Sequence, residues 1–388
     1  MELLLTIVAS CTLAYISYTL IDSIFGFKQL KNLTEQMPIP FNELPKISII
    51  FSALNEENKI EEALLSLVNL TYPDLEVIAV NDRSTDTTPQ ILERLQSRYP
   101  ILKVLHISNL PDNWFGKNHA LHQASRQAQG DWLLFTDADV VMKTETLTKA
   151  ISYVKNNNLD HLTIYEHHRR DSFWLKVCLL GNYITYTMVM KPWRIRHAKS
   201  KKSLGHGAFN LVNKTAYQNC DGHQAIAMEC LDDISLGALL KNNGYRQDTV
   251  DGRDYVEREW YHSLSDMVRG MKKNSFAYYN YNLLPMLRDA IFALTFYVWP
   301  FFGVLFFSGA VCYLNLLVIL ITLATTFCVA KQFRLEKKYI FFYPISIAIL
   351  VYTIANSAYA TYRNKGVIWR GTHYSLNTLK TQLMQKNS

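Results

Sequence analysis

Two aspartates, one residue apart, close an apolar run in "GDWLLFTDADVV", residues 130–141. Unpaired buried charge is costly, so a strand that delivers Asp137 and Asp139 at its end needs a polar turn there, or a cation. Two carboxylates at this spacing can hold one hard divalent cation, with phosphate oxygens completing the shell. Earlier in the chain, "NDRSTDTT" supplies another acidic strand end, Asp82 standing four residues before Asp86 with hydroxyls between. Taken singly, each motif is also an ordinary turn or helix start, where Ser, Thr and Asp satisfy free backbone donors. Neither a Gly-rich dinucleotide fingerprint nor a Walker A sequence occurs, which removes those two phosphate-binding solutions.

The elements that must position these carboxylates alternate in type. "ISIIFSAL" reads as a strand and "EENKIEEALLSLVNL" as a helix; "LEVIAVND" and "PQILERLQSRY" repeat the pair. Strand "LKVLHIS", helix "GKNHALHQASRQAQ" and strand "WLLFTDAD" follow. Such alternation predicts an α/β fold with a doubly wound, mostly parallel sheet, in which ligands bind at the carboxyl ends of the strands. Three of these ends carry polar chemistry: "NEE", "NDRSTD" and "DAD".

That globular region, 46–258, sits between apolar ones. The chain is 49% hydrophobic and 19% charged, and 290–330 holds no Asp, Glu, Lys or Arg. About 20 apolar residues suffice for one span. The pattern predicts an N-terminal transmembrane anchor over 1–27 and an interfacial amphipathic segment over 259–289. A C-terminal transmembrane region over 290–362 and a cytoplasmic tail over 363–388 complete the division. A tight turn near Tyr313 to Asn315 would split the charge-free tract. "VASC" resembles a lipoprotein processing site, but Cys11 comes too early and the apolar run continues past it, which favours an uncleaved anchor.

Lys28 and Lys31 after the first span place the globular region on the cytoplasmic side of the cell membrane. The same rule places "KQFRLEKK" and the tail with Arg363, Lys365 and Arg370 there too, although one apolar segment separates them. That segment, Tyr339 to Tyr362, is then re-entrant or interfacial, with Pro344 permitting a break, or one basic segment defies the rule.

Six cysteines without CxxC spacing suggest neither a disulfide framework nor a zinc site. The net charge of +7 is strongest in "KPWRIRHAKSKK", which follows an apolar stretch and reads as facing an anionic membrane rather than nucleic acid; a solvated loop is the bland alternative. "EHHRRDS" reads as a solvated loop.

In this order and spacing, "ISIIFSALNEENKIEEALLSL", "VNDRSTDTT" and "TDADV" resemble the nucleotide-sugar-binding half of a family-2 glycosyltransferase with the GT-A fold. The likeness continues through "DNWFGKNHA", "GHGAFNLVNKTAYQNCDGH", "LDDISLG", "GMKKNSFA" and "GVIWRGTHY". This fuller set is similar to membrane-bound members that act on carotenoid acids, the diaponeurosporenoate glycosyltransferases, and to hopanoid-associated relatives.

The resemblance implies roles residue by residue. Asn55 and Glu56 match the first-strand segment near the nucleotide, and Asp82 the carboxylate that contacts base or ribose. Asp137 and Asp139 match the Asp-x-Asp pair, with Asp139 the direct ligand of Mg²⁺ or Mn²⁺. Lys117 matches a lysine facing nucleotide or sugar. Asp233 falls where the family reads Glu-Asp and supplies its catalytic base; here Asp232 precedes it, so either carboxylate can act. His206 is a candidate phosphate contact, with a structural role as the alternative, and His223 sits in a matching segment. Met271 to Asn274 lie where many members carry Gln-x-x-Arg-Trp, which is absent, and Lys273 is a candidate for holding diphosphate.

The chemistry is coherent. A sugar bound through diphosphate leaves as an anion that a divalent ion stabilises, while one carboxylate deprotonates the acceptor. The expectation is an inverting transfer from a nucleotide-sugar donor, expected to be a UDP-sugar, to a lipid-like acceptor at the membrane. The alternatives are a processive polysaccharide synthase and a non-catalytic nucleotide-sugar-binding subunit.

Overall fold

The computed structural model describes residues 1–169 and 172–387. Arg170 and Asp171 of "EHHRRDS" lie outside them. Leu30–Arg169 and Trp193–Trp260 form a globular unit, while Met1–Gln29, Arg170–Pro192 and Tyr261–Ser388 form an apolar helical one.

The strands of the globular unit are β1 (Lys31–Asn32), β2 (Ile47–Ala53), β3 (Leu75–Asp82), β4 (Leu102–Ile107), β5 (Trp132–Phe135), β6 (Val140–Met142), β7 (His161–Tyr165), β8 (His167–His168), β9 (Asn210–Asn213), β10 (Gln247–Asp251) and β11 (Val256–Arg258). Eight of them form one sheet in the order β1-β10-β7-β9-β5-β2-β3-β4. Within it β9 runs antiparallel to β5 and β7, and the other pairs are parallel. The doubly wound, mostly parallel sheet expected from the alternation is therefore what the chain forms.

Burial explains its continuous apolar strands, since every residue of β2 is buried. Ile49, Phe51, Val77, Ala79 and Leu134 enter one core, while Ile50, Ile78, Val80, Leu133 and Phe135 enter another. This alternation is the two-residue period of a sheet covered on both faces. Register then aligns the strand ends: Ala53 pairs with Asn81, and Ile50 with Phe135. A smaller sheet, β6-β11-β8, lays Arg258 opposite Val140.

In the apolar unit, Glu2–Phe27, Gly309–Gln332 and Lys337–Arg363 are long and apolar enough to cross a membrane. Leu283–Tyr297 and Trp299–Phe306 form a pair bent by 42°, which counts as a fourth if it is one span. The turn expected near Tyr313 falls instead between Phe306 and Gly309, whose φ of +61° suits glycine. Asn315 lies within a helix, packed so closely on Gly303 that a Cβ there would stand 2.5 Å from its side chain. Pro344 starts a helix rather than breaking one, because its missing N–H costs nothing in the first turn. The apolar helix beginning at Leu283 runs through the boundary expected at 289.

Two other readings change. "KPWRIRHAKSKK" is not one membrane-facing run, because Trp193 and Ile195 are buried in the globular unit. Lys241 Nζ donates to the carbonyls of Ile195 at 2.7 Å and His197 at 3.0 Å. Nor is "EHHRRDS" simply solvated: Glu166 is buried, and His167–His168 pairs as β8 with β11.

Candidate active site

Two loops leave the aligned strand ends tied together by Asn55. Its φ of 58° suits an Asn, and its Oδ1 accepts from the amide of Thr85 at 2.8 Å. The neighbouring Glu56 amide donates to Thr88 Oγ1 at 2.9 Å. Asn55 thus organises the loop after β3. At the end of that strand Asp82 is buried, 1% exposed, and accepts from Arg83 Nε at 2.7 Å and its terminal nitrogen at 3.1 Å. Gly116 opens the helix Gly116–Gln127 against this pair: a Cβ there would lie 2.7 Å from Asp82 Oδ2 and 2.5 Å from Arg83.

The turn after β5 presents Asp137, which accepts from Lys117 Nζ at 2.8 Å and from Arg258 at 3.1 Å. Arg258 also stands 3.6 Å from Asp139. Burial pushes the Asp139 carboxyl up, and Asp137 adds to this against the opposing charges of Arg258 and Lys59. A desolvated acidic pair of this kind calls for positive charge.

Lys117 reaches further, with Asp232 Oδ2 2.9 Å from its ammonium. The burial of Lys117 alone would lower its pKa, but Asp137, Asp232 and Asp233 outweigh it and hold the side chain charged. Asp232 and Asp233 open the helix Asp232–Asn242, where the N-terminus favours carboxylates. Asp233 accepts from the Ile234 amide at 2.8 Å. Burial, then the charge of Asp232, raises its pKa; Lys117 acts in the opposite direction. Gly207 lies between the two acidic centres: a Cβ there would come 2.7 Å from Asp137 Oδ2 and 3.4 Å from Asp233 Oδ2.

His206 stands beside Gly207, its Nδ1 3.3 Å from Glu166 Oε2. Burial alone would lower the imidazole pKa, but Glu166, with Asp233 behind it, outweighs that and raises it. His223 is buried against Tyr217, whose hydroxyl lies 2.9 Å from its Nδ1, and serves the core.

Asp137, Asp139, Lys117, Asp232, Asp233 and His206 are thus brought into one cluster. Lys273 belongs to the other unit, its ammonium 3.9 Å from the ring centre of Trp369. Arg258 and Glu166 were missed. Neither sits in a recognisable motif, and each reaches the cluster through strand pairing distant in sequence. Among the described residues no three His, Cys, Asp or Glu side chains are grouped to hold a metal ion. The donor set is instead two carboxylates beside a glycine cradle, which fits an ion that brings phosphate and water oxygens of its own.

A family model described as "Glycosyl transferase family 2" matches residues 48–219. The chain is 25% identical over 231 residues to a 4,4'-diaponeurosporenoate glycosyltransferase of Staphylococcus haemolyticus, covering 59% of this chain and 60% of the relative. It is 33% identical over 137 residues to a beta-monoglucosyldiacylglycerol synthase of Nostoc sp., covering 34% of this chain and 29% of the relative. It therefore spans less than two thirds of the length of these relatives. A solved mannosyltransferase from Pyrobaculum calidifontis, in complex with GDP-Man and Mn²⁺, superposes with a TM-score of 0.56 at 18% identity, covering 92% of this chain and 98% of that one. That likeness establishes the fold. The chain carries a glycosyltransferase domain of family 2, with the GT-A fold, and long apolar helices on both sides of it in the sequence.

Proposed function

We propose that the chain transfers a sugar, with inversion, from a nucleotide-sugar donor to a lipid-like acceptor at the membrane. The observation that carries this reading is Lys117, which joins the Asp137 centre to the Asp232 centre and makes one site of two acidic pairs. Asp139 and Asp137 would hold Mg²⁺ or Mn²⁺, which when bound neutralises charge on the leaving diphosphate. Lys117, Arg258 and His206 are the cations available to the same phosphates. Asn55 and Glu56 fix the loop beside which the nucleotide would lie, and the Asp82–Arg83 pair is the charged group at its base.

Asp233 is the general base of this scheme. Its neighbour Asp232 is ion-paired with Lys117, whereas Asp233 carries a raised pKa, closer to that of a useful base at neutral pH. One base without a covalent nucleophile gives a single displacement. The acceptor class is supported by the apolar helices and by relatives whose names specify carotenoid-acid and diacylglycerol glycosides. The lysines after the first span support a cytoplasmic globular unit.

The test is turnover of a panel of UDP- and GDP-sugars by membranes containing the protein, with Mg²⁺, Mn²⁺ or EDTA. Metal-dependent consumption of one donor, lost in folded Asp139→Ala and Asp233→Asn, is expected. Full activity in both variants would remove these residues from their roles.

A further inference from the structure

A cavity of about 350 Å³ lies within the apolar unit. Arg269, Lys272 and Lys273 line it together with Asn364, Ile368 and Trp369, and its lining contains no carboxylate. We propose that it binds the phosphate headgroup of an anionic phospholipid, from the leaflet on the side where the chain enters and leaves the globular unit. The proposal rests on the reading of the apolar helices as membrane-embedded, and it gives Lys273 a lipid phosphate in place of the diphosphate that its motif position suggests.

Depth in the membrane is the first argument. The helix Phe173–Thr185 is joined at both ends to segments of the globular unit, so it cannot cross without a second span to return it. It therefore stays on that side, and it fixes what packs on it. Ser346 Oγ donates to the Val177 carbonyl at 2.7 Å, and Phe173 meets Phe342 edge to face at 5.1 Å. Tyr183 stacks on Phe333 at 4.0 Å, which puts "KQFRLEKK" on this side as well.

The other end of the Tyr343–Arg363 helix is pinned to the same side. Ser357 Oγ bonds the Lys272 carbonyl and accepts from the Phe276 amide at 3.0 Å. Residues 261–276 follow the globular unit with only short helices, so they have not crossed. Both ends of Tyr343–Arg363 then lie on one side, and the helix runs along the surface despite its apolar length. This places the two basic segments flanking it together, as the distribution of positive charge requires.

The cavity thus stands at headgroup level, where the wall chemistry suits a lipid phosphate. A hairpin of β12 (Gly366–Trp369) and β13 (Thr372–Ser375) closes it, turning through Arg370 and Gly371, both at positive φ. Trp369 is the aromatic residue typical of a membrane interface, and Ile368 beside it is 57% exposed. No Asp or Glu occurs after Glu336, while Lys337, Lys338, Arg363, Lys365, Arg370, Lys380 and Lys386 do. A basic pocket among membrane helices is the kind of site that takes an anionic headgroup.

The experiment uses the full chain in detergent, with phosphatidylglycerol or phosphatidylcholine added and retained lipid counted by native mass spectrometry. Phosphatidylglycerol should be retained in preference, and Arg269→Gln with Lys272→Gln should lower its retention about tenfold. Removing two charges elsewhere, by Lys337→Gln with Lys338→Gln, should leave it unchanged, and Arg269→Lys with Lys272→Arg should preserve it. Should the Gln pair fail to fold, wild type still decides. Equal retention of the two lipids, or displacement of phosphatidylglycerol by inorganic phosphate or UDP, overturns the proposal. Equal loss in the Lys337–Lys338 control overturns it too. Turnover is not read, so a failed transfer assay leaves this result standing.

Discussion

The ammonium of Lys117 stands 2.9 Å from Asp232 Oδ2, so the first of two consecutive aspartates is ion-paired while the second keeps a raised pKa. The pairing gives two chemically identical side chains different surroundings, and the proposed function gives them different roles. Asp233→Asn should lower kcat by about 10²–10⁴-fold, the usual contribution of a general base, with donor KM little changed. Asp232→Asn removes one of the two carboxylates that position Lys117 and leaves its charge pulling on Asp137 alone, so a loss of about 10–100-fold in metal affinity or activity is expected. Steady-state kinetics at several metal concentrations distinguish the two. If Asp232→Asn gives the larger loss in kcat at saturating metal, the assignment is reversed.

Gly207 makes a prediction about the metal without touching a charge. A methyl group there would sit 2.7 Å from Asp137 Oδ2, closer than side chains pack, so the carboxylate must move. Gly207→Ala should raise the Mn²⁺ concentration needed for half-maximal activity about tenfold or more, the effect of misorienting a ligand. Its effect at saturating metal should be smaller. Titration of activity with Mn²⁺ after EDTA treatment measures this; an unchanged metal requirement would place the ion elsewhere.

The Glu166–His206 pair should appear in the pH dependence of stability. Burial alone would raise the Glu166 pKa, but His206 outweighs it and holds the carboxyl well below its ordinary range. This contribution is present above the unfolded carboxylate pKa and is lost as pH falls through the folded one. His206 is shifted upward, so its contribution is present below the unfolded imidazole pKa and disappears as pH rises through the folded value. Thermal stability should therefore decline as pH rises above the unfolded imidazole pKa. Glu166→Gln should flatten that decline and cost about 1–3 kcal/mol at acidic to neutral pH, the range for a buried hydrogen bond left unmade. Thermal melts across pH of wild type and variant provide the check.

The same pair shows what could be read before folding. Strands buried on both faces write themselves as apolar runs, and the carboxylates at their ends follow in order, so β2, β3, β5 and Asp82, Asp137 and Asp139 were legible. Asp233 was legible only by likeness to a family, since a helix start explains it equally well. Glu166 and Arg258 were not legible: Glu166 stands between β7 and the two-residue β8, Arg258 ends the three-residue β11, and only the pairing of these strands brings them to the site. Length and apolar composition likewise could not tell the Tyr343–Arg363 helix from a span. The proposed depth is argued instead from Ser346 and Ser357, whose partners lie 169 and 85 residues away.

That last distinction has its own test, in a chain whose native cysteines are replaced. Ser308 lies between the bent helix pair and Gly309–Gln332, whereas Lys337 and Arg363 flank the helix assigned to the surface. If that helix does not cross, Lys337→Cys and Arg363→Cys label from the same side and Ser308→Cys from the other. A membrane-impermeant maleimide on intact cells should then label Ser308→Cys alone, with the other two labelled only after permeabilisation. A crossing helix would instead separate Lys337 from Arg363, one labelled in intact cells and the other protected. That outcome would place the Arg269–Lys272 cavity and the 337–338 segment on opposite leaflets, which the contacts of Ser346 with Val177 and of Ser357 with Lys272 do not permit in one folded unit.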